Sequence, residues 1–197
     1  ALVFCTGIIN AYNFMDGING MTGGYSLVVL VALAYINQRF IFFVEQEFII
    51  SIICSVLVFC FFNFRNRAIC FAGDIGSVSI AFIILFLIGM LIIKTENFSW
   101  IVLLVVYGVD SALTIIHRLM LHENISLPHR KHLYQIMANE LGISHITVSS
   151  IFMLVQIVIV IGYFAFREYD YWYLLGSIIV LCGAYILFMR KYFRTYL

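Results

Sequence analysis

Six runs of about 17 to 21 apolar residues, near 21–37, 46–63, 77–93, 98–117, 146–166 and 171–189, dominate this chain. A hydrocarbon core of about 30 Å needs roughly 20 such residues in a helix. Backbone inside lipid must satisfy its own polar groups, and a helix does so within one segment. The expected fold is therefore all-α: a polytopic integral membrane helical bundle with about six full transmembrane helices. Composition excludes the soluble classes. Of 197 residues, 64% are hydrophobic and 11% charged, where a soluble domain sits near half and a quarter. Lipid is an expected partner; nucleic acid is not.

Before the first run stands ALVFCTGIINAY, residues 1–12, too short to cross a bilayer. It has neither the basic start nor the cleavage pattern of a signal peptide. It reads as the end of a truncated N-terminal span, so the sequence reads as the C-terminal part of a longer protein. Repeats, linkers and low-complexity stretches are absent, and residues 1–197 form a single membrane domain. The five cysteines show no C-x-x-C spacing and read as small apolar residues of the bundle.

Charge sets the orientation. Arg65, Arg67, Arg118, Arg130, Lys131, Arg190, Lys191 and Arg194 are eight of the eleven Lys/Arg, and all fall in loops or a tail on one side. By the positive-inside rule that side is cytoplasmic. Trp100, Trp172 and Tyr173 are placed to anchor the membrane interfaces. The segment LYQIMANELG puts Leu133, Ile136, Met137 and Leu141 on one helical face and ends at Gly142, as an interfacial helix would.

Four polar sites interrupt the apolar background. NAYNFMDGINGMTGG, residues 10–24, holds three asparagines, one aspartate and four glycines. Asn13, Asp16 and Asn19 recur at threes, which on a helical turn puts them on one side, and glycines let backbone approach a ligand. An acid facing a bundle at membrane depth is a functional site by default; a solvated helix-ending loop is the plain alternative. In CFAGDIGSVSIAF, Asp74 lies between Gly73 and Gly76, and Ser77 is placed to cap the next span. A helix N-terminus favours phosphate, and Mg²⁺ takes one or two carboxylates plus phosphate oxygens; a simple helix cap fits equally well.

The third site is Asp110 in VVYGVDSALTIIHRL, about 10 Å along the helix from His117. Asp110, Thr114 and His117 share one face, where an interhelical hydrogen-bonding role is an equal reading. Gln156, alone in its span, reads as such a bridge. The fourth is SLPHRKHLYQ, where His129, Arg130, Lys131 and His132 cluster. Arginine suits bidentate phosphate contact and histidine proton exchange, while a headgroup-binding loop accounts for Lys131 alone. Together the first, second and fourth describe a site for a diphosphate at the cytoplasmic surface.

These motifs resemble a known family. NAYNFMDGINGMTGG resembles the N-x-x-N-F-x-D-G-x-[DN]-G-[LM] motif of the polyprenyl-phosphate N-acetylhexosamine-1-phosphate transferases (glycosyltransferase family 4), FAGDIGS resembles their F-M-G-D-x-G-S motif, and PHRKHLYQ is similar to their histidine motif. The resemblance runs from Asn10 to about Ser149, in family order. It implies Mg²⁺-dependent transfer of a sugar-1-phosphate from a UDP-N-acetylsugar to undecaprenyl or another polyprenyl phosphate. UMP leaves, as the initiating step of cell-surface glycan synthesis such as cell wall or O-antigen. It further implies Asp74, Asp16 and His132 as catalytic residues, Asp74 and Asn13 at the metal, and Asn19, Phe71, His129 and Arg130 on the substrate, with Phe71 stacking on uracil. The site would face the cytoplasm of a bacterial inner membrane, and a homodimer is compatible with it.

Three departures stand out. Asn19 occupies a position where many bacterial members carry aspartate. Tyr134 and Gln135 follow the histidine motif where extra histidines are common, as in the branch that loads N-acetylfucosamine or N-acetylquinovosamine, with N-acetylglucosamine still admitted. The family's adjacent aspartate pair is absent from these 197 residues and is expected upstream, leaving this stretch inactive alone. A transporter or lipid-binding module and a non-catalytic paralogue are the alternatives.

Overall fold

The computed structural model describes residues 2–124, 127 and 130–192. Among them there is no strand. The helices are α1 (Leu2–Met15), α2 (Met21–Arg39), α3 (Gln46–Asn63), α4 (Gly73–Thr95), α5 (Val105–Met120), α6 (Leu133–Gln135), α7 (His145–Ala165) and α8 (Asp170–Tyr192). Short 3₁₀ segments at Phe98–Leu104 and Arg167–Tyr169 lead into α5 and α8. Six stretches are long and apolar enough to cross a membrane, and α1 is a shorter apolar helix before them. The six-span bundle read from hydropathy is therefore the fold.

Two of the six form the interior. Of their membrane-length windows, 67% is buried in both α2 and the Phe98–Met120 segment, against 22% in α3, which turns most of its surface outward. α2 packs on α3, α7, α4 and α1. Between apolar helices in lipid, close packing and interhelical hydrogen bonds replace the hydrophobic drive, and both are present. The Tyr25 and Tyr107 rings stack at 3.7 Å with Tyr12 edge-on at 5.0 Å from Tyr107. Gln156 of α7 accepts from the Tyr25 hydroxyl at 2.7 Å and donates to the Val102 carbonyl at 3.0 Å. This is the bridging role expected of Gln156.

The turns are closed by side chains. Buried Asn37 accepts from the Phe43 and Val44 amides at 2.9 and 3.1 Å, folding residues 40–45 between α2 and α3. At the other end, the 16–20 turn, the 64–72 loop and the segment around α6 come together.

Three local expectations are corrected. α4 starts at Gly73 rather than at Ser77, because Gly73, at φ +59°, supplies the left-handed entry to the helix. Asp74 consequently lies within the first turn, and Ser77 is an interior residue instead of a cap. Trp100 is only 2% exposed and donates its indole N–H to Thr95 Oγ1 at 3.0 Å, so it belongs to the core rather than to an interfacial belt. The 133–141 helix is α only over Leu133–Gln135 and continues as a π turn over Ile136–Glu140. That change of pitch leaves Leu141 41% exposed, off the face buried by Ile136, while Gly142 ends the segment at φ +66°.

Candidate functional site

The site begins where α1 ends. Asn13, in the last turn of α1, donates its carboxamide N–H to Asp74 Oδ1 at 3.0 Å and to Ser77 Oγ at 3.2 Å. Two motifs 61 positions apart thus touch through the carboxylate that sequence reading singles out. In this arrangement the Asn13 nitrogen faces Asp74, so Asn13 orients the carboxylate. Asp74 is exposed, in the first turn of α4, where the helix's unpaired amides favour negative charge.

Asp16 approaches the same helix end. Thr22, in the first turn of α2, donates its hydroxyl to Asp16 Oδ1 at 2.7 Å. Burial raises the Asp16 carboxyl above its ordinary range, and the neighbouring Asp74 charge adds to this; bonds from Thr22 and the Gly73 amide oppose it. Two carboxylates therefore share one helix N-terminus, one open and one half-buried. Their charges repel, so a cation between them or a ligand-borne cation would relieve both.

Asn19 serves the turn itself. Its amide group donates to the Arg65 and Asn66 carbonyls at 3.0 and 3.3 Å, and its own carbonyl accepts from Ser149 at 2.7 Å. The structure spends its amide on the 64–72 loop. Asn63, at the end of α3, completes this stitching: its Oδ1 accepts from the Gly20 amide at 2.7 Å and its Nδ2 donates to the Cys70 carbonyl at 2.8 Å. Gly20 sits at φ +82°, where a Cβ would run into the Phe64 ring at 2.4 Å, so only glycine fits. Sequence reading missed Asn63; the signal was a lone carboxamide closing an otherwise apolar run.

Phe71 is 70% exposed on the approach to α4. It borders a groove of about 430 Å³ between α2, α3 and α4, lined also by Thr22, Gly23, Ser55 and Ser79. An exposed ring beside the Asp16–Asp74 pair is placed for stacking on a planar ligand.

The histidine segment docks on the same end. Tyr134 donates its hydroxyl to the Phe14 carbonyl at 2.7 Å, and burial raises its phenol so that it remains a neutral donor. Its ring fills the space at Gly17, where a Cβ would meet the hydroxyl at 2.2 Å. His132 is 1% exposed, stacked on Tyr134 at 5.8 Å and tilted against Phe14 at 6.1 Å. It is thus a buried imidazole beside the cleft rather than one projecting into it. Arg130 is exposed. His129 lies outside the described residues. Lys131 pairs with Glu123, and that ammonium, helped by Arg118 at 3.1 Å, holds the Glu123 carboxyl below its ordinary range. Arg118 also donates to the Asn124 and Leu127 carbonyls at 2.6 and 3.1 Å, so it shapes the loop.

Among the described residues no three His, Cys, Asp or Glu side chains assemble into a self-sufficient metal cage. The available set is the Asp16 and Asp74 carboxylates, with the Asn13 carboxamide beside Asp74. This fits Mg²⁺, which is held by one or two carboxylates together with substrate phosphates.

The family described as "Glycosyl transferase family 4" matches residues 1–95, which include both the 13–20 turn and Asp74. A probable undecaprenyl-phosphate N-acetylglucosaminyl 1-phosphate transferase of Bacillus subtilis (strain 168) is 28% identical over 194 residues, covering 96% of this chain and 52% of that protein. Phospho-N-acetylmuramoyl-pentapeptide-transferases of Lactobacillus acidophilus and Lactobacillus helveticus are each 33% identical over 79 residues, 40% of this chain and 24% of theirs. The chain therefore spans about half the length of the Bacillus relative and less of the other two. No solved structure matches. The stretch that carries the turn motif and the start of α4 thus matches glycosyl transferase family 4, and the chain is similar to transferases of polyprenyl-phosphate sugar-1-phosphate type.

Proposed function

We propose that this chain carries the donor-binding side of an enzyme that moves an N-acetylated sugar-1-phosphate from a UDP-sugar to a membrane polyprenyl phosphate. An oxygen of the lipid phosphate attacks the phosphorus attached to the sugar. The bond from that phosphorus to the bridging oxygen breaks, and UMP leaves. The observation that supports this reading is the Asn13–Asp74 contact at 3.0 Å beside Asp16, at a helix N-terminus open to the loops.

Asp74 and Asp16 would hold Mg²⁺, which neutralises the donor diphosphate so that one phosphate can approach another. Asn13 orients Asp74, and Thr22 orients Asp16. Phe71 stacks on the uracil, while Arg130, with His129, contacts the diphosphate or sugar and His132 supports them from its buried place beside the cleft. The basic loops lie on this same end, which supports a cytoplasmic site by the positive-inside rule. N-acetylglucosamine, N-acetylfucosamine and N-acetylquinovosamine are the donor sugars to test.

The experiment is transfer of label from a panel of UDP-N-acetylsugars into the lipid extract of membranes holding the full-length protein, with Mg²⁺ and with chelator. One donor is expected to label the lipid in a Mg²⁺-dependent manner. Full-length protein that labels no lipid from any donor overturns the reading.

A further inference from the structure

Asp110 lies at the middle of the buried face of α5, 3% exposed, and sequence alone leaves it as an interhelical hydrogen bonder. The structure gives it a more specific setting. Its Oδ1 accepts the Leu133 amide at 3.0 Å, at the first residue of α6, and Thr114 Oγ1 lies 3.4 Å away. Thr114 in turn meets the Tyr185 hydroxyl of α8 at 3.0 Å. The other oxygen, Oδ2, is 3.6 Å from His132 Nδ1. That separation exceeds a hydrogen bond, yet it sets the ring nitrogen against the carboxylate. One carboxylate therefore holds the backbone just after His132 and lies beside the ring of His132 itself.

The rest of the setting narrows what this does. The His132 amide donates to Gln135 Oε1 at 3.2 Å, which ties His132 to the first turn of α6. A carboxylate buried in a bundle is costly unless a partner offsets its charge. A three-residue helix has little stability of its own, so a capping group supplied by another helix decides where His132 sits.

We propose that Asp110 is a positioning residue for His132, holding a proton on His132 Nδ1 and fixing the ring's orientation beside the diphosphate-binding end; this rests on the transferase reading above. A carboxylate behind a functional histidine commonly sets the tautomer of the ring and the basicity of its other nitrogen.

Two measurements on the full-length protein test this. In the first, histidine ¹⁵N spectra of the labelled protein, with His132 assigned through H132Q, are compared between wild type and D110N. A proton on His132 Nδ1 is expected in wild type and its loss or redistribution in D110N; an identical His132 signature in both overturns the proposal. In the second, D110N is expected to lower kcat for lipid labelling roughly 10–100-fold with the donor KM little changed, and D110E to restore part of it. In the H132Q background D110N should add no further loss, because residues acting as one unit are non-additive. Full multiplication of the two losses, or wild-type turnover by D110N, overturns the proposal. If the wild-type protein labels no lipid, the transferase reading falls, while the spectra still decide the link between Asp110 and His132.

Discussion

Asn13 and Asp74 meet at 3.0 Å across 61 positions, carboxamide N–H to carboxylate, with Ser77 Oγ at 3.2 Å from the same nitrogen. This contact joins the end of α1 to the first turn of α4. It brings the acid of one motif to the asparagine of another.

Asp74→Asn keeps the shape of the side chain and removes its charge. Because Asp74 is exposed, the helix bundle should be retained, with an unchanged elution profile in detergent. Lipid labelling by the full-length protein should fall by roughly 10²-fold or more, the scale of losing one electrostatic group at a reacting centre. Unchanged turnover would reject the metal assignment.

Asp16 carries a stability cost that depends on pH. Its folded-state carboxyl titrates above the ordinary value, chiefly through burial, so the fold binds that proton more tightly than the unfolded chain does. The stability linked to it is complete below the ordinary carboxylate value near pH 4, and is lost as pH rises through the folded-state value. Asp16→Asn, which still accepts from Thr22, should unfold at a higher temperature than wild type near neutral pH. The gap should close toward about pH 4, while transfer activity drops. Thermal melts across pH, run on both proteins, check this; a gap that grows on acidification would refute it.

Gly17 has no room for a methyl group, since its Cβ would lie 2.2 Å from the Tyr134 hydroxyl. Gly17→Ala should displace the Tyr134 ring, break its bond to the Phe14 carbonyl and cost about 1–3 kcal/mol. Removing the offending oxygen through Tyr134→Phe should recover part of that loss in the double variant. The check is the melting temperature of the three variants.

Asn63→Ala removes the acceptor of the Gly20 amide and the donor to the Cys70 carbonyl. A buried amide left without its acceptor costs about 1–3 kcal/mol. The 16–20 turn and the 64–72 loop should loosen together, read as faster hydrogen exchange in both segments. Exchange confined to one of them would separate the two loops.

Much of this protein was legible along the chain. Hydropathy located the six spans because a bilayer demands apolar helices of nearly fixed length. The 13–19 turn and Asp74 were equally visible, as polar residues have few neutral reasons to sit among apolar ones. Less visible were Asn63, with nothing but its place at a helix end to mark it, and the partners of Asp110, which lie on other helices.

The amino-acid order by itself determined the six apolar spans and the stretches in which the polar residues gather, because each depends on solvation and on neighbours a turn away. Only the tertiary structure decided that Asn19 spends its amide on a loop, that Trp100 is interior and that Asp110 stands behind His132. Those outcomes depend on which helix faces meet, and hydrogen bonds between residues far apart in sequence leave no periodic trace along the chain.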